Sequence, residues 1–284
     1  MKKKQIFHKY TALGNDYIVI DQKNLKSKIT SHLVKKMCQR NFGIGADGVL
    51  LVEKVSKNLF KLKIFNSDGS TAGKSGNGMR IAAHYLSQTY SPANQFQLQI
   101  KQKIFFVEKW QILKNNFKAS IQMGESVPIL IPQNCTLPFK FKKDKLFVKI
   151  KGTFLPAVVQ DMGNPHLSLV DEERKLSKQD LISFAREIQM SKYFKKSKGV
   201  NVQLVHPVNK KKIKIYIYER GSGYTLASGS SSCAVALAAQ KLDPLIKFPI
   251  HVKNEQGELR VSQKDGQIYL EGKCCHLFQG LFFL

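Results

Sequence analysis

No apolar run in this 284-residue chain approaches the roughly 18–20 residues that a transmembrane helix needs. The opening Met1–His8 carries lysine charge without the apolar segment of a signal peptide, so a cytoplasmic protein is the expectation. Cysteine is scarce: Cys38, Cys135, Cys233, Cys274 and Cys275 are an odd number with no CxxC pair. That spacing offers neither a zinc site nor a disulfide framework, and it predicts free thiols in a reducing compartment and no metal. Acidic residues are few as well, 20 against 46 basic ones, for a net charge of +26. Such an excess can mark a nucleic-acid binder. Yet only six of the basic residues are arginine. The small lysine clusters at 140–145, 192–198 and 210–214 are not interleaved with aromatics that could stack on bases. A lysine-biased solvated surface is the expectation, with no nucleic-acid partner.

What is present is an ordinary apolar fraction, 43%, which supports a sizeable core and excludes long-range disorder. The length suits two domains or one large one. β-Branched and aromatic runs predict strands over Phe7–Asp21, Gly48–Val55, Phe60–Asn66, Phe96–Gln102, Ile104–Lys109 and Phe117–Met123. They predict further strands over Phe147–Val159, His166–Val170, Val200–His206 and Ile213–Glu219. Helices are expected over Thr30–Asn41, from Gly76 through Leu86, and from Gly229 through Ala239.

An internal repeat organises these pieces. Ser75-Gly76-Asn77-Gly78 opens one small-residue helix and Ser228-Gly229-Ser230-Ser231 opens another, 153 positions later. Asn66 and Glu219, each nine residues before the serine, share that offset. Gly14-Asn15-Asp16 is echoed by Gly163-Asn164-Pro165 at an offset of 149. Two similar halves are implied, their helix openings and Asn turns lining one cleft. A helix N-terminus offers unpaired N–H groups and partial positive charge, which favour carboxylate or phosphate. Asn15, Asn66, Asn77, Asn164 and Asn201 stand at turns or strand ends, where amides can both donate and accept toward a zwitterion.

Two nucleotide-like stretches fail on context. Gly43-Ile44-Gly45-Ala46-Asp47-Gly48 fits G-x-G-x-x-G, but follows a helix and enters a strand, the inverse of a dinucleotide fold. The stretch Gly69 to Ser75 has three residues between its glycines where a phosphate loop requires four.

Six short motifs occur in order: Leu13-Gly14-Asn15-Asp16, Phe65 to Ser70, Gly76-Asn77-Gly78-Met79-Arg80, Gly163-Asn164-Pro165-His166, Gly199-Val200-Asn201-Val202 and Tyr218-Glu219-Arg220-Gly221. Together they resemble diaminopimelate epimerase, from about Phe7 to the C-terminus. The resemblance implies an α/β (α+β) fold of two pseudo-symmetric halves, each a curved sheet around a central helix, with the site in the cleft between them. The expected halves are 1–118 with 271–284, and 119–270, the last strand closing the first half. The resemblance further implies a cofactor-independent isomerase and a homodimer, converting LL- to meso-diaminopimelate for lysine and peptidoglycan precursors. One thiolate would remove the α-proton and one thiol would return a proton from the other face.

The cysteines of that chemistry fall at Ser75 and Ser228, and neither is a cysteine here. Cys233 lies inside the second helix, five residues past its opening, and the other cysteines fall outside every motif. A hydroxyl is several pKa units less acidic than a thiol, and each unit costs about 1.36 kcal/mol of driving force. His166 and Glu219 match family residues that tune the thiols. Tyr224 stands in place of the usual Glu, and Ser230-Ser231 in place of Thr-Gly. The implied substrate contacts Asn15, Asn66, Gly76, Asn77, Asn164, Asn201, Glu219, Arg220 and Gly229 are intact, with Arg220 on a carboxylate and Glu219 on an ammonium, and the substituted Ser230 is counted with the substrate-binding positions. Three readings stay open: an epimerase of this type, a catalytically silent amino-acid binder, and a basic nucleic-acid-associated scaffold.

Overall fold

A computed structural model describes residues 4–113, 116–131, 138–142, 145–189, 191–195 and 199–284. The chain forms two compact units, Met1–Gln122 with Leu270–Leu284, and Met123–Tyr269.

The first unit contains β1 (Lys4–Ala12), β2 (Asn15–Asp21), α1 (Ser31–Cys38), β3 (Gly48–Lys54), β4 (Leu59–Asn66), β5 (Thr71–Ala72), α2 (Gly76–Tyr90), β6 (Gln95–Ile100), β7 (Lys103–Leu113) and most of β8 (Asn116–Gly124). The run Phe7–Asp21, expected as one strand, is instead a hairpin. Its turn places Leu13 at φ 53° and Gly14 at φ 79°, and Tyr10 pairs with Tyr17. Parallel pairs β2–β3 and β4–β6 alternate with antiparallel β1–β2, β3–β4 and β6–β7. α1 and α2 supply the crossovers that parallel strands require. The terminal strand Gln267–Phe283 pairs with both β1 and β8 and so joins the two ends of this sheet. α2 packs against β1 to β4, with twelve of its fifteen residues buried.

The second unit runs through β9 (Val127–Pro128), β10 (Phe139–Lys142), β11 (Lys145–Ile150), β12 (Thr153–Asp161), β13 (Pro165–Val170), α3 (Lys178–Gln189), α4 (Lys192–Lys195), β14 (Asn201–Asn209), β15 (Lys212–Glu219), β16 (Gly223–Thr225), α5 (Gly229–Leu242), β17 (Ile250–Asn254), β18 (Gly257–Lys264) and the start of β19 (Gln267–Phe283). Its ladders repeat the first unit's order: β12–β13 antiparallel, β13–β14 parallel, β14–β15 antiparallel, β15–β17 parallel, β17–β18 antiparallel. α5 takes the place of α2, packed on β12 to β15, β17 and β18, and lined with Ala234, Val235, Ala236, Ala238 and Ala239. Small side chains let a sheet wrap closely around a helix. The expected strand Phe147–Val159 is two strands, broken by a turn with Lys151 at φ 46° and Gly152 at φ 82°.

Gly43 to Gly48 forms a helix exit and a strand entry. The amide nitrogens of Ile44 and Gly45 donate to the Met37 carbonyl, and a Cβ on Gly43 would lie 2.1 Å from the Lys36 oxygen. In the terminal strand, Leu277, Phe278, Leu281 and Phe283 remain about half exposed. Their strand is held by its ladder with β1 and by an edge contact of Phe278 on Phe7. Cys38, Cys233, Cys274 and Cys275 are free thiols, and Cys135 lies outside the described residues. No helix among the described residues is long and apolar enough to cross a membrane.

The middle of α2 carries a titratable cluster. His84 is buried, stacks on Phe117 at 4.7 Å and 5°, and meets the Tyr10 ring edge-on at 5.3 Å. His276 faces Tyr10 at 4.5 Å and His8 at 5.5 Å. Burial, then the His276 charge, lowers His84 from 6.5 to about 4. The unfolded chain therefore takes up this proton as pH falls below 6.5, while the folded chain resists until about 4. The shift corresponds to about 3 kcal/mol of stability lost across that window. Urea midpoints compared at pH 7 and pH 4.5 should fall steeply in the wild type and less in His84→Gln. Equal slopes in the two proteins would contradict this assignment.

Candidate functional site: the serine-capped helix openings

Each central helix starts at a serine. Ser75 and Ser228 are the N-caps of α2 and α5, with extended φ/ψ of −147°/115° and −146°/131°. Each hydroxyl accepts from the amide three residues on, Gly78 at 3.0 Å and Ser231 at 3.3 Å. The two positions that the resemblance assigns to thiols thus have the same backbone geometry and the same local bond.

In the first unit the Tyr17 hydroxyl lies 3.3 Å from Ser75 Oγ. Sequence reasoning missed this residue, because its proximity depends on where β2 passes α2. Asn77 donates to Asn15 Oδ1 at 3.1 Å and accepts from Arg80 at 2.6 Å. Asn15 in turn donates to Asp47 at 2.7 Å. Arg40 bridges Asp47 and Asp16 at 2.7 and 2.9 Å, and buried Lys9 pairs with Asp16 at 2.7 Å. Burial alone would raise the Asp16 carboxyl, but hydrogen bonds from Arg40 and Lys9 hold it down at about 2. Asn15 and Asn77 are therefore set by a charged network. Asn66 stands at the end of β4, its Nδ2 on Ser70 Oγ at 2.9 Å, with no protein partner among the described residues for its Oδ1.

In the second unit Ser228 is buried, and its hydroxyl lies 3.5 Å from that of Ser230. Glu219, at the end of β15, has the Ser228 and Thr225 hydroxyls beside it, and both pull its carboxyl down. Desolvation nevertheless pushes its carboxyl above the ordinary 4.5. Asn201 donates to the Pro165 carbonyl at 3.2 Å and accepts the Arg220 amide at 3.0 Å, which fixes the start of the Arg220 turn. His166 is fully buried, with Nε2 at 3.0 Å from Asn164 Oδ1 and Nδ1 at 3.0 Å from Gln203. The structure thus joins Glu219 to Ser228, and His166 to Asn164 and Gln203. Tyr224 bonds Glu255 and lies under Lys178, whose Nζ is 4.2 Å from the ring centre. Among the described residues no cluster of three or more His, Cys, Asp or Glu could hold a metal.

The sequence profile of the diaminopimelate epimerase family matches residues 7–126 and 158–277, one segment in each half of the repeat. The chain belongs to the diaminopimelate epimerase family. It is 34% identical over 282 residues to a diaminopimelate epimerase of Carboxydothermus hydrogenoformans, covering 98% of this chain and 99% of that one. It is 36% identical to diaminopimelate epimerase 2 of a Nostoc species, covering 91% and 88% of the two chains. Solved structures share the fold at low identity. One is a predicted epimerase from Pseudomonas aeruginosa, with TM-score 0.69, 15% identity and 99% coverage of both chains. Another is a hydroxyproline epimerase from Agrobacterium vitis with bound trans-4-hydroxy-L-proline, with TM-score 0.67, 10% identity and coverage of 100% and 94%.

Two consequences for this epimerase-family chain can be measured. Replacing either cap by alanine should lower unfolding free energy by about 1 kcal/mol in urea titrations. For Glu219 the raised folded value means that ionising it opposes folding. That cost is absent near pH 4 and grows as pH rises above 4.5 through the folded value. Glu219→Gln should therefore melt higher than wild type at pH 8 and converge with it at pH 4. A difference independent of pH would contradict the raised carboxyl.

Proposed function

We propose that this chain is a cofactor-independent isomerase that inverts an α-carbon of diaminopimelate, with Ser75 and Ser228 in the proton-transfer positions. The observation that carries this reading is the retained contact set beside two serine caps of matching geometry. Asn66 offers a bare carbonyl oxygen, suited to an ammonium, and Asn164 offers a bare amide nitrogen, suited to a carboxylate. Arg220 adds a guanidinium that can grip a second carboxylate in bidentate fashion. The amino acid bound is diamino and dicarboxylic on this account, and membership of the family over nearly the whole chain agrees with it. The expected assembly is a homodimer and the expected setting cytoplasmic.

Inversion needs a base on one face of the α-carbon and an acid on the other. On this reading the Ser228 hydroxyl takes the α-proton as it passes its own to Glu219, and the Ser75 hydroxyl, beside Tyr17, returns a proton. In the reverse direction the roles exchange. Hydroxyls lack the acidity of thiols, so turnover is slow, with a barrier higher by about 1.36 kcal/mol for each unmatched pKa unit. A silent amino-acid binder is the second reading. It is favoured by the capping bonds, which give both serines a structural task that needs no catalysis.

Proton NMR of diaminopimelate in deuterated water decides between them. Slow loss of the α-proton signal, abolished by Ser75→Ala or Ser228→Ala, supports the isomerase. Ser75→Cys with Ser228→Cys should raise exchange by orders of magnitude, whereas each single change should not. Wild-type turnover unaffected by either alanine would overturn the serine assignment. Calorimetry should show diaminopimelate binding lost in Arg220→Ala, a cost of about 2–5 kcal/mol for one buried charged contact. Equal affinity would remove Arg220 from the site.

A further inference from the structure

Four fully buried polar side chains form a chain in the second unit that the proposed chemistry does not use. His166 and Ser168 project from β13, Gln203 from β14 and Ser231 from the first turn of α5, all at 0% exposure. The parallel register sets Gln203 directly opposite Ser168, with His166 two residues back along the same strand and so on the same face. Ser168 Oγ donates to Gln203 Oε1 at 3.3 Å. Gln203 Nε2 then has two hydrogens for two acceptors, Ser231 Oγ at 3.2 Å and His166 Nδ1 at 3.0 Å. An amide nitrogen donates and does not accept. With the Gln203 amide in this orientation, His166 Nδ1 carries its lone pair, and the neutral ring keeps its proton on Nε2. That N–H faces Asn164 Oδ1 at 3.0 Å. With Oδ1 occupied, half-exposed Asn164 turns its NH2 outward, where it has no protein partner among the described residues.

We propose that Gln203 is a positioning residue that holds His166 as the neutral Nε2–H tautomer, and thereby fixes Asn164 as a donor toward an anionic group of the substrate. The first half of this proposal concerns the protein alone, and only the second rests on the function proposed above. His166 on this account is no proton shuttle for the serines, since the bonds to Gln203 and Asn164 occupy both ring nitrogens. Its work is to orient one amide. The two side chains bonded to its ring nitrogens, Gln203 and Asn164, are uncharged amides.

Long-range proton–nitrogen correlation spectra of the ligand-free protein, with histidine labelled in the ring nitrogens, test the assignment. The His166 signals are identified by their loss in His166→Gln. The expected pattern is a pyridine-type Nδ1 and a pyrrole-type Nε2 at neutral pH. Gln203→Glu, nearly isosteric, replaces the donor with an acceptor and should convert Nδ1 to the protonated type. A wild-type ring protonated on Nδ1, or a Gln203→Glu ring unchanged from wild type, overturns the proposal. If Gln203→Glu does not fold, the wild-type pattern alone still decides the tautomer. For the donor role, Asn164→Asp cannot donate and should weaken diaminopimelate binding tenfold or more, and unchanged binding removes that role. Failure of wild type to bind diaminopimelate would count against the proposed substrate and, with it, the donor role, while the spectrum would still decide the tautomer.

Discussion

The first turn of a buried helix is the constraint around which each half of this protein is built. α2 and α5 lie almost wholly inside their units, so their opening N–H groups must find partners without help from bulk water. One serine hydroxyl settles one amide at each opening. The residues that follow the caps, Gly76 and Gly229, are buried as well. Unpaired N–H groups at a helix start also suit an anion, which is what the function proposed above would use. The strand end that brings Glu219 to the α5 opening follows from the ladder order, because β15, like β4 with Asn66 at its end, finishes just before a short hairpin strand and the helix.

At these caps, folding and the proton transfer proposed above ask for different atoms. A hydroxyl is a good acceptor for a backbone amide and a poor acid; a thiol is the reverse. With serine at both openings, this chain has the stronger helix start. The chemistry then depends on neighbours, and the two openings are not equally equipped. Ser228 has a carboxyl whose affinity for protons is raised by burial, while Ser75 has a phenol. An asymmetric pair of this kind would favour proton uptake on the Ser228 side.

Much of this arrangement could be read from the chain before any coordinates. The repeat of Ser75 and Ser228, with Asn66 and Glu219 nine residues before, reports the equivalent ends of β4 and β15 and the two caps. Local conformation was harder to read. The hairpin over 4–21 reads as one strand because its turn uses Leu13 in a left-handed conformation, where no side-chain signal marks a bend; Gly14 and Asn15 are the clues to it. The Lys151-Gly152 turn hid in the same way. α3 was overlooked although Leu181, Phe184, Ala185 and Ile188 share one face at helical spacing. Tyr17, Ser168 and Gln203 could not have been singled out, since each owes its role to a partner far away in sequence, 58 positions for Tyr17 and Ser75.

The two halves share a ladder order and differ in the polar wiring behind their Asn turns. In the first, Asn15 is anchored through Asp47, Arg40, Asp16 and Lys9, a run of alternating full charges. In the second, Asn164 is anchored through His166, Gln203 and Ser168, which carry none in the tautomer argued above. Charge pairs enclosed beside a turn are strong where geometry is good and costly if one partner is lost. A neutral chain costs less to bury, yet its direction depends on where a single proton sits. Asp16, held at about 2, stays ionised at the pH near 4 where His84 takes up its proton. The first Asn is thus backed by charges that persist to low pH, and the second by neutral groups whose direction follows from the tautomer proposed for His166. The turns themselves differ too: Ala12 pairs with Asn15 across two residues, and Asp161 with Pro165 across three. A substitution tolerated behind one Asn is for that reason a poor guide to its counterpart behind the other.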